Sequence, residues 1–156
     1  MTTRHSAGIL LFRRNGDDGV EVLLGHMGGP FWASRDAGAW TLPKGEYPPD
    51  EDPLAAARRE FAEELGVPAP PGEPTPLGTT RQSGGKVVTA WAVEGDLDPD
   101  AVVPGVFEME WPRGSGRLRS FPELDRVAWF DLDRARELVV TGQRVLLDRL
   151  AELLGA

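Results

Sequence analysis

Two hydrophobic periods alternate along this 156-residue chain. Gly8–Arg14 and Val20–Gly25 read as strands of a hairpin about Asn15-Gly16-Asp17-Asp18-Gly19. The doublets Leu10-Leu11 and Leu23-Leu24 are too continuous for strands with one wet face, and predict a sheet covered on both sides. Trp40–Pro43 reads as a short strand. Leu77–Gln82 and Lys86–Val93 form a second hairpin around Ser83-Gly84-Gly85. In the latter strand Lys86, Val88, Ala90 and Ala92 share one face, and Val87, Thr89, Trp91 and Val93 the other. Phe107–Trp111 alternates as a strand with Glu108 and Glu110 on one face, and Arg126–Phe130 is another strand. Helical spacing appears inside Gly45–Val67, over Asp131–Val139 and over Gln143–Leu154. The last carries Leu146, Leu147, Leu150, Leu153 and Leu154 as a core stripe. Pro68–Pro76 and Glu94–Pro104 read as connectors. The expected architecture is α/β, a mixed sheet between helices in an α/β/α sandwich, as one domain over residues 1–156.

The stretch Gly45–Val67 is the most informative. Asp52 suits an N-cap, Pro53 the first helical position and Gly66 the exit. At about 100° per residue, Ala57, Phe61 and Leu65 fall within roughly 60° of Leu54, as one apolar stripe. Glu60, Glu63 and Glu64 fall about 180–280° round, with Ala56 inside that arc leaving room above it. Like charges at this spacing cost about 0.2–0.5 kcal/mol per pair. Clustered carboxylates are the ligands that hard divalent cations select. A triplet of this kind alone is more often a solvated acidic face; the surrounding spacing decides otherwise, as shown below.

Composition narrows the function. The net charge is −8 and there is no cysteine. General nucleic-acid binding, which needs a basic surface, is not expected, and the lack of cysteine excludes a disulfide framework and thiolate chemistry. There is no apolar run of membrane-spanning length, and the apolar run near the N-terminus is too short for a signal peptide, so a cytoplasmic enzyme is expected. An acidic protein that handles polyphosphate needs bound metal and local basic groups to overcome its own field.

Several residues outside the helix are candidates for substrate contact. Phe31 and Trp32, in the glycine-rich stretch His26–Ala39, can stack on a nucleobase or cover a core edge. His26 can serve as a base, although a lone histidine is more often simply packed. Lys44, Arg81 and Lys86 can reach phosphate. Arg113 and Arg117, in the basic loop Arg113–Arg119, can hold a distal phosphate or sugar; exposed surface charge is the competing reading for all of these.

Gly45, five residues, Glu51, seven residues, then Arg59-Glu60-Phe61-Ala62-Glu63-Glu64-Leu65-Gly66-Val67 match every fixed position of the Nudix box. The chain therefore resembles the Nudix hydrolases, which act on nucleoside diphosphates linked to another moiety. The Pro43-Lys44-Gly45 entry is similar to the subgroup that cleaves diadenosine polyphosphates. The resemblance implies a loop–helix–loop catalytic motif and dependence on magnesium, with manganese as an alternative. It implies metal ligation by Glu60, Glu64, Glu63 and the Lys44 carbonyl, and a catalytic base in Glu63 or a carboxylate outside the box. Glu123 is the first candidate for that carboxylate, with Glu110 and Glu108 as alternatives. Gly45, Glu51 and Arg59 are expected to support the box. The expected partner is a small nucleotide-type substrate, with no nucleic acid and no membrane, and a homodimer is compatible with this reading. A nucleotide-binding sensor without turnover is the competing class, against which the intact box argues. An isoprenoid diphosphate isomerase shares the fold, but its cysteine-dependent chemistry does not suit a chain without cysteine.

Overall fold

A long central strand organises the molecule, and the elements follow it in chain order. The computed structural model describes residues 3–16, 19–82 and 84–156. It contains β1 (His5–Asn15), β2 (Gly19–Met27), β3 (Trp40–Thr41), β4 (Lys44–Glu46), α1 (Pro53–Leu65), β5 (Thr75–Arg81), β6 (Val87–Glu94), β7 (Val106–Glu110), β8 (Leu118–Pro122), β9 (Leu124–Asp131), α2 (Leu132–Leu138) and α3 (Arg144–Leu154). The main sheet runs β3-β2-β1-β6-β5, with β4 added on β1 and β9 on β2. β1 and β6 are parallel and the other pairs antiparallel, so the sheet is mixed as expected.

Both faces of this sheet are covered, which is why the leucine doublets are continuous. Leu10, Phe12, Leu24, Val88, Ala90 and Ala92 pack with Leu138, Leu146, Leu147 and Leu150 on the side of α2 and α3. Ala7, Ile9, Leu11 and Leu23 pack with Ala56, Ala57, Phe61 and Leu65 of α1 on the other. Each doublet sends one side chain to each layer. The predicted α/β/α sandwich is the architecture observed. No helix among the described residues is long and apolar enough to cross a membrane.

The ends of α1 follow their sequence signals. The Asp52 carboxylate accepts from the Ala55 N–H at 3.0 Å, and Gly66 closes the helix in the left-handed region at φ 70°. Two details of the helical phases differ from expectation. Ala56 is fully buried against the sheet, while Leu54 is only half-buried. A methyl group at position 56 lets the helix approach β1 closely, so the acidic arc is narrower than the wheel implies. In α3, Leu153 is 50% exposed and lies outside the core stripe.

The strand pattern also needed correction. Lys44–Glu46, read as the entry to the box, is itself a strand on β1. The basic loop around Arg113 and Arg117 joins β7 to β8, a strand not recognised in the sequence, in a separate two-stranded ribbon. Asp17, Asp18 and Ser83, in the two hairpin turns, lie outside the described residues.

The approach to the box is held by a buried glutamine. Gln143 accepts from the Leu42 N–H at 3.0 Å. Its amide nitrogen donates to Thr41 Oγ1 at 2.8 Å and to Gln82 Oε1 at 2.9 Å. It thus ties the start of α3 to the segment that leads into Lys44. Gln143→Leu leaves the buried Leu42 N–H without a partner, and we expect a loss of about 1–3 kcal/mol in denaturant unfolding. An unchanged midpoint would show that the network contributes nothing net.

Candidate active site

Three elements converge on one cleft of about 400 Å³, lined by Ser6 of β1, Lys44, Gly45 and Glu46 of β4, Glu60, Glu63 and Glu64 of α1, and by Lys86, Gly105, Val106 and Glu123. Four carboxylates expected to take part in metal binding or catalysis therefore share a single concavity. β4 and α1 touch directly: a Cβ on Gly45 would fall on the Glu60 carboxylate. A side chain at this position would displace the Glu60 carboxylate from where it lies against β4.

The register of β4 sets its carbonyls. Tyr47 N–H donates to His5 O and Ile9 N–H to Pro43 O. Lys44 faces Gly8 between these bonds, at a non-hydrogen-bonded position. Its carbonyl is thereby directed away from β1, and β4 pairs with no other strand.

Arg59 binds the carboxylates together. Its Nε and Nη2 clasp Glu51 at 2.9 and 2.8 Å as a two-point fork. Nη1 reaches Glu60 at 2.9 Å and both oxygens of Glu63 at 3.1 and 3.2 Å. These contacts raise the guanidinium above its ordinary range, the Glu51 bond most of all. The same bond holds Glu51 below the usual carboxylate value. Arg59, expected to support the box, thus holds Glu60 and Glu63 at once.

Glu60 and Glu64 are the stressed acids. Burial raises Glu60 despite the attraction of Arg59, because desolvation outweighs the partner. Glu64 is pushed from 4.5 to about 8, by burial first and then by the charge of Glu123, partly opposed by Lys44. The Lys44 ammonium is lowered, chiefly by burial and then by Lys86. The cleft thus sets unneutralised acids against a lysine pair.

A hard cation suits this donor set of carboxylates and one outward carbonyl. Among the described residues, however, no three acidic or histidine side chains converge into a ready-made cage. Glu60 and Glu63 are turned toward Arg59 instead.

The remaining candidates lie elsewhere. Arg81, Phe31, Trp32, Arg113, Arg117, Glu108 and Glu110 do not line the cleft. Phe31 is 62% exposed, with Trp32 edge-on at 4.8 Å and the Arg35 guanidinium over its ring. Trp32 packs against the α2–α3 core. Glu110 accepts from the Gly114 N–H at 2.6 Å and so closes the β7–β8 loop. His26 is fully buried, with Nδ1 2.9 Å from Asp125 and Nε2 2.6 Å from the Arg35 carbonyl. It anchors the 28–39 loop and has no access to a reacting water. Of the acids outside the box, Glu123 alone of the three candidates reaches the cleft. The sequence reading missed Ser6, Glu46, Gly105 and Val106. Only the pairing of β1 with β4 and the path of the 103–106 segment past α1 bring them in.

The shift on Glu64 has a measurable consequence. A carboxyl raised from 4.5 to about 8 keeps its proton more readily folded than unfolded. Its stabilising contribution is complete below the ordinary carboxylate value and is lost as pH rises toward about 8. In chelator, the melting temperature should therefore fall across that window. Glu64→Gln should flatten the profile and melt a few degrees (about 2–5 °C) higher than the native chain at the alkaline end. Parallel profiles for the two proteins would contradict the assignment.

Comparison with known proteins agrees with this geometry. A NUDIX domain family profile matches residues 2–150. Among solved structures, a Caenorhabditis elegans Ap4A hydrolase binary complex superposes with TM-score 0.69 at 22% identity, over 98% of both chains. The NUDIX domain of Shewanella oneidensis NrtR, complexed with ADP ribose, gives 0.66 at 19% identity, over 99% of this chain and 90% of that one. The Nudix hydrolase RenU of M. smegmatis gives 0.62 at 25% identity, over 99% and 88%. No curated protein matches in sequence. With the family profile spanning nearly all its length, and Gly45, Glu60, Glu63 and Glu64 of the box lining one cleft, this chain belongs to the NUDIX family of pyrophosphohydrolases.

Proposed function

We propose that this chain hydrolyses a phosphoanhydride bond in a nucleoside diphosphate linked to another moiety, with a divalent cation of the magnesium class. Dinucleoside polyphosphates and nucleoside triphosphates are favoured over nucleotide sugars. The observation that carries the reading is the joint placement of Glu60, Glu63, Glu64 and Glu123 opposite Lys44 and Lys86 in one cleft. The ADP ribose bound to one structural neighbour and the hydrolase activity named for another belong to the same chemical class.

Glu60, Glu64 and the Lys44 carbonyl would hold the cation, with Glu63 as a further ligand. Once bound, the cation supplies charge neutralisation of the phosphates and activation of water. Glu63 or Glu123 takes the proton of the attacking water. The water oxygen bonds to phosphorus as the bridging P–O bond breaks, and the leaving phosphate takes the electron pair. Lys44 and Lys86 pair with phosphate oxygens and hold the chain in line. Arg59 keeps Glu60 and Glu63 on the cleft side of α1 while Glu51 holds Arg59. A larger groove of about 800 Å³, walled by His5, Tyr47, Pro49 and Pro53, shares Glu46 with the cleft and offers room for a nucleoside.

A panel of nucleotides with magnesium, products weighed by mass spectrometry, tests the reading. Glu60→Gln and Glu64→Gln should each lower kcat at least about a hundredfold while circular dichroism stays native. Turnover that survives both changes sinks the metal assignment. Tight nucleotide binding without turnover on any phosphoanhydride favours the sensor class. Hydrolysis in isotope-labelled water identifies the phosphorus attacked.

A further inference from the structure

Ser6 has no role in the reading so far, yet it is the most unusual polar group in the molecule. It is fully buried. Its Oγ has no hydrogen-bond partner, and no other buried side-chain nitrogen or oxygen among the described residues shares that condition. Hydroxyls are not left so without cost: a buried donor with no partner loses more than a made hydrogen bond gains net. Such a group is expected to have a partner that arrives from outside.

The sheet register shows what it faces. Ser6 lies directly opposite Glu46, and Gly8 opposite Lys44, in the β1–β4 pair. The side chains of Ser6, Lys44 and Glu46 therefore share one face of the sheet. On the other side of β1, Ser6 is in register with Val88. Lys86 stands two residues before Val88, on that same face by alternation. Ser6 thus sits between the two lysines, and all three line the cleft. Two ammonium groups and a donor hydroxyl that line one cleft suit an oxyanion.

We propose that the Ser6 hydroxyl donates to a non-bridging oxygen of a substrate phosphate lying between Lys44 and Lys86, making Ser6 a specificity-determining residue of the cleft. The lysines attract any phosphate as point charges, whereas a single hydroxyl on a central strand has a fixed direction. Ser6 therefore selects the seating of the phosphate chain rather than its charge. This rests on the hydrolase reading above for the identity of the ligand, but not on the metal ligands or the base.

The test compares the native chain with Ser6→Ala and Ser6→Cys in magnesium. Isothermal titration with α,β:β,γ-bis(methylene)-ATP, in which a methylene replaces each bridging oxygen, reads binding without turnover. Ser6→Ala should bind this probe about tenfold more weakly, as expected for one hydrogen bond to a charged acceptor. Ser6→Cys, a near-isostere with a weaker donor, should fall between. On the substrate that the panel identifies, KM should rise by a similar factor while kcat changes little. The melting temperature of Ser6→Ala should equal or exceed that of the native chain, because no intramolecular bond is lost. Affinity and KM within twofold of native in Ser6→Ala would overturn the proposal, as would a native chain that does not bind the probe. A native chain that binds the probe but hydrolyses nothing would defeat the hydrolase reading alone, and the binding arm would still decide Ser6.

Discussion

Carboxylates that repel one another must be kept on one turn of a helix without unwinding it, and Arg59 carries that burden. Its guanidinium divides its donors unequally. The Glu51 side is a fork of two short bonds, while Nη1 shares its two hydrogens among three oxygens of Glu60 and Glu63. Glu51 therefore fixes where the guanidinium sits, and the weaker, divided end restrains the two acids that face the cleft. Under the proposed function a cation in the cleft would compete with the divided end and leave the fork to Glu51 in place.

That arrangement depends on how closely α1 lies against the sheet. Ala56 and Ala57 bring the helix onto β1, and Gly45 lets Glu60 press on the backbone of β4. Any larger residue at these positions would lift the acids away from the Lys44 carbonyl. The helix phase is set by the Asp52 cap and the Gly66 exit, and the height of the strand by Gln143 behind Leu42. The cost of this close fit appears as the raised Glu60 and Glu64, whose ionised forms lose water and gain like-charged neighbours. Only an incoming positive charge removes that cost. Under the proposed function that stress would favour binding of a cation, and Lys44 opposes only part of it.

What could be read from the sequence divides along the same lines. The box, the caps and the two-faced strands are local features: spacing along one segment fixes which side chains share a face. Ala56 was misplaced because a helical wheel shows direction but not how near the next layer lies. β8 was missed because Leu118–Pro122 has little alternation and pairs only with β7, in a ribbon apart from the core. Phe31, Trp32, Arg113 and Arg117 were attractive by residue type alone, and type carries no address. Glu123 was found through the family resemblance, and its arrival at the cleft depends on the backbone bonds of Glu123 to Gly105 and Gly28. Ser6 offered no signal at all, since a serine before an apolar run is ordinary until the strand on either side is known.

Reaction and recognition are therefore encoded at different ranges. The box acids proposed for the chemistry come from one helical turn, and no rearrangement of distant segments can separate them. The groups proposed to meet the rest of the substrate come from β1, β4, Lys86 just before β6 and the 105–106 and 123 positions. They meet because β1 runs parallel to β6 on one side and antiparallel to β4 on the other. Between the parallel strands β1 and β6 the chain passes through β2, β3, β4, α1 and β5, so the box helix lies within that long connection. Changes at the strand ends can then alter which phosphate chain is seated while the carboxylate turn stays intact. This is why a short motif can identify the reaction while leaving the choice of substrate to contacts that only the folded sheet assembles.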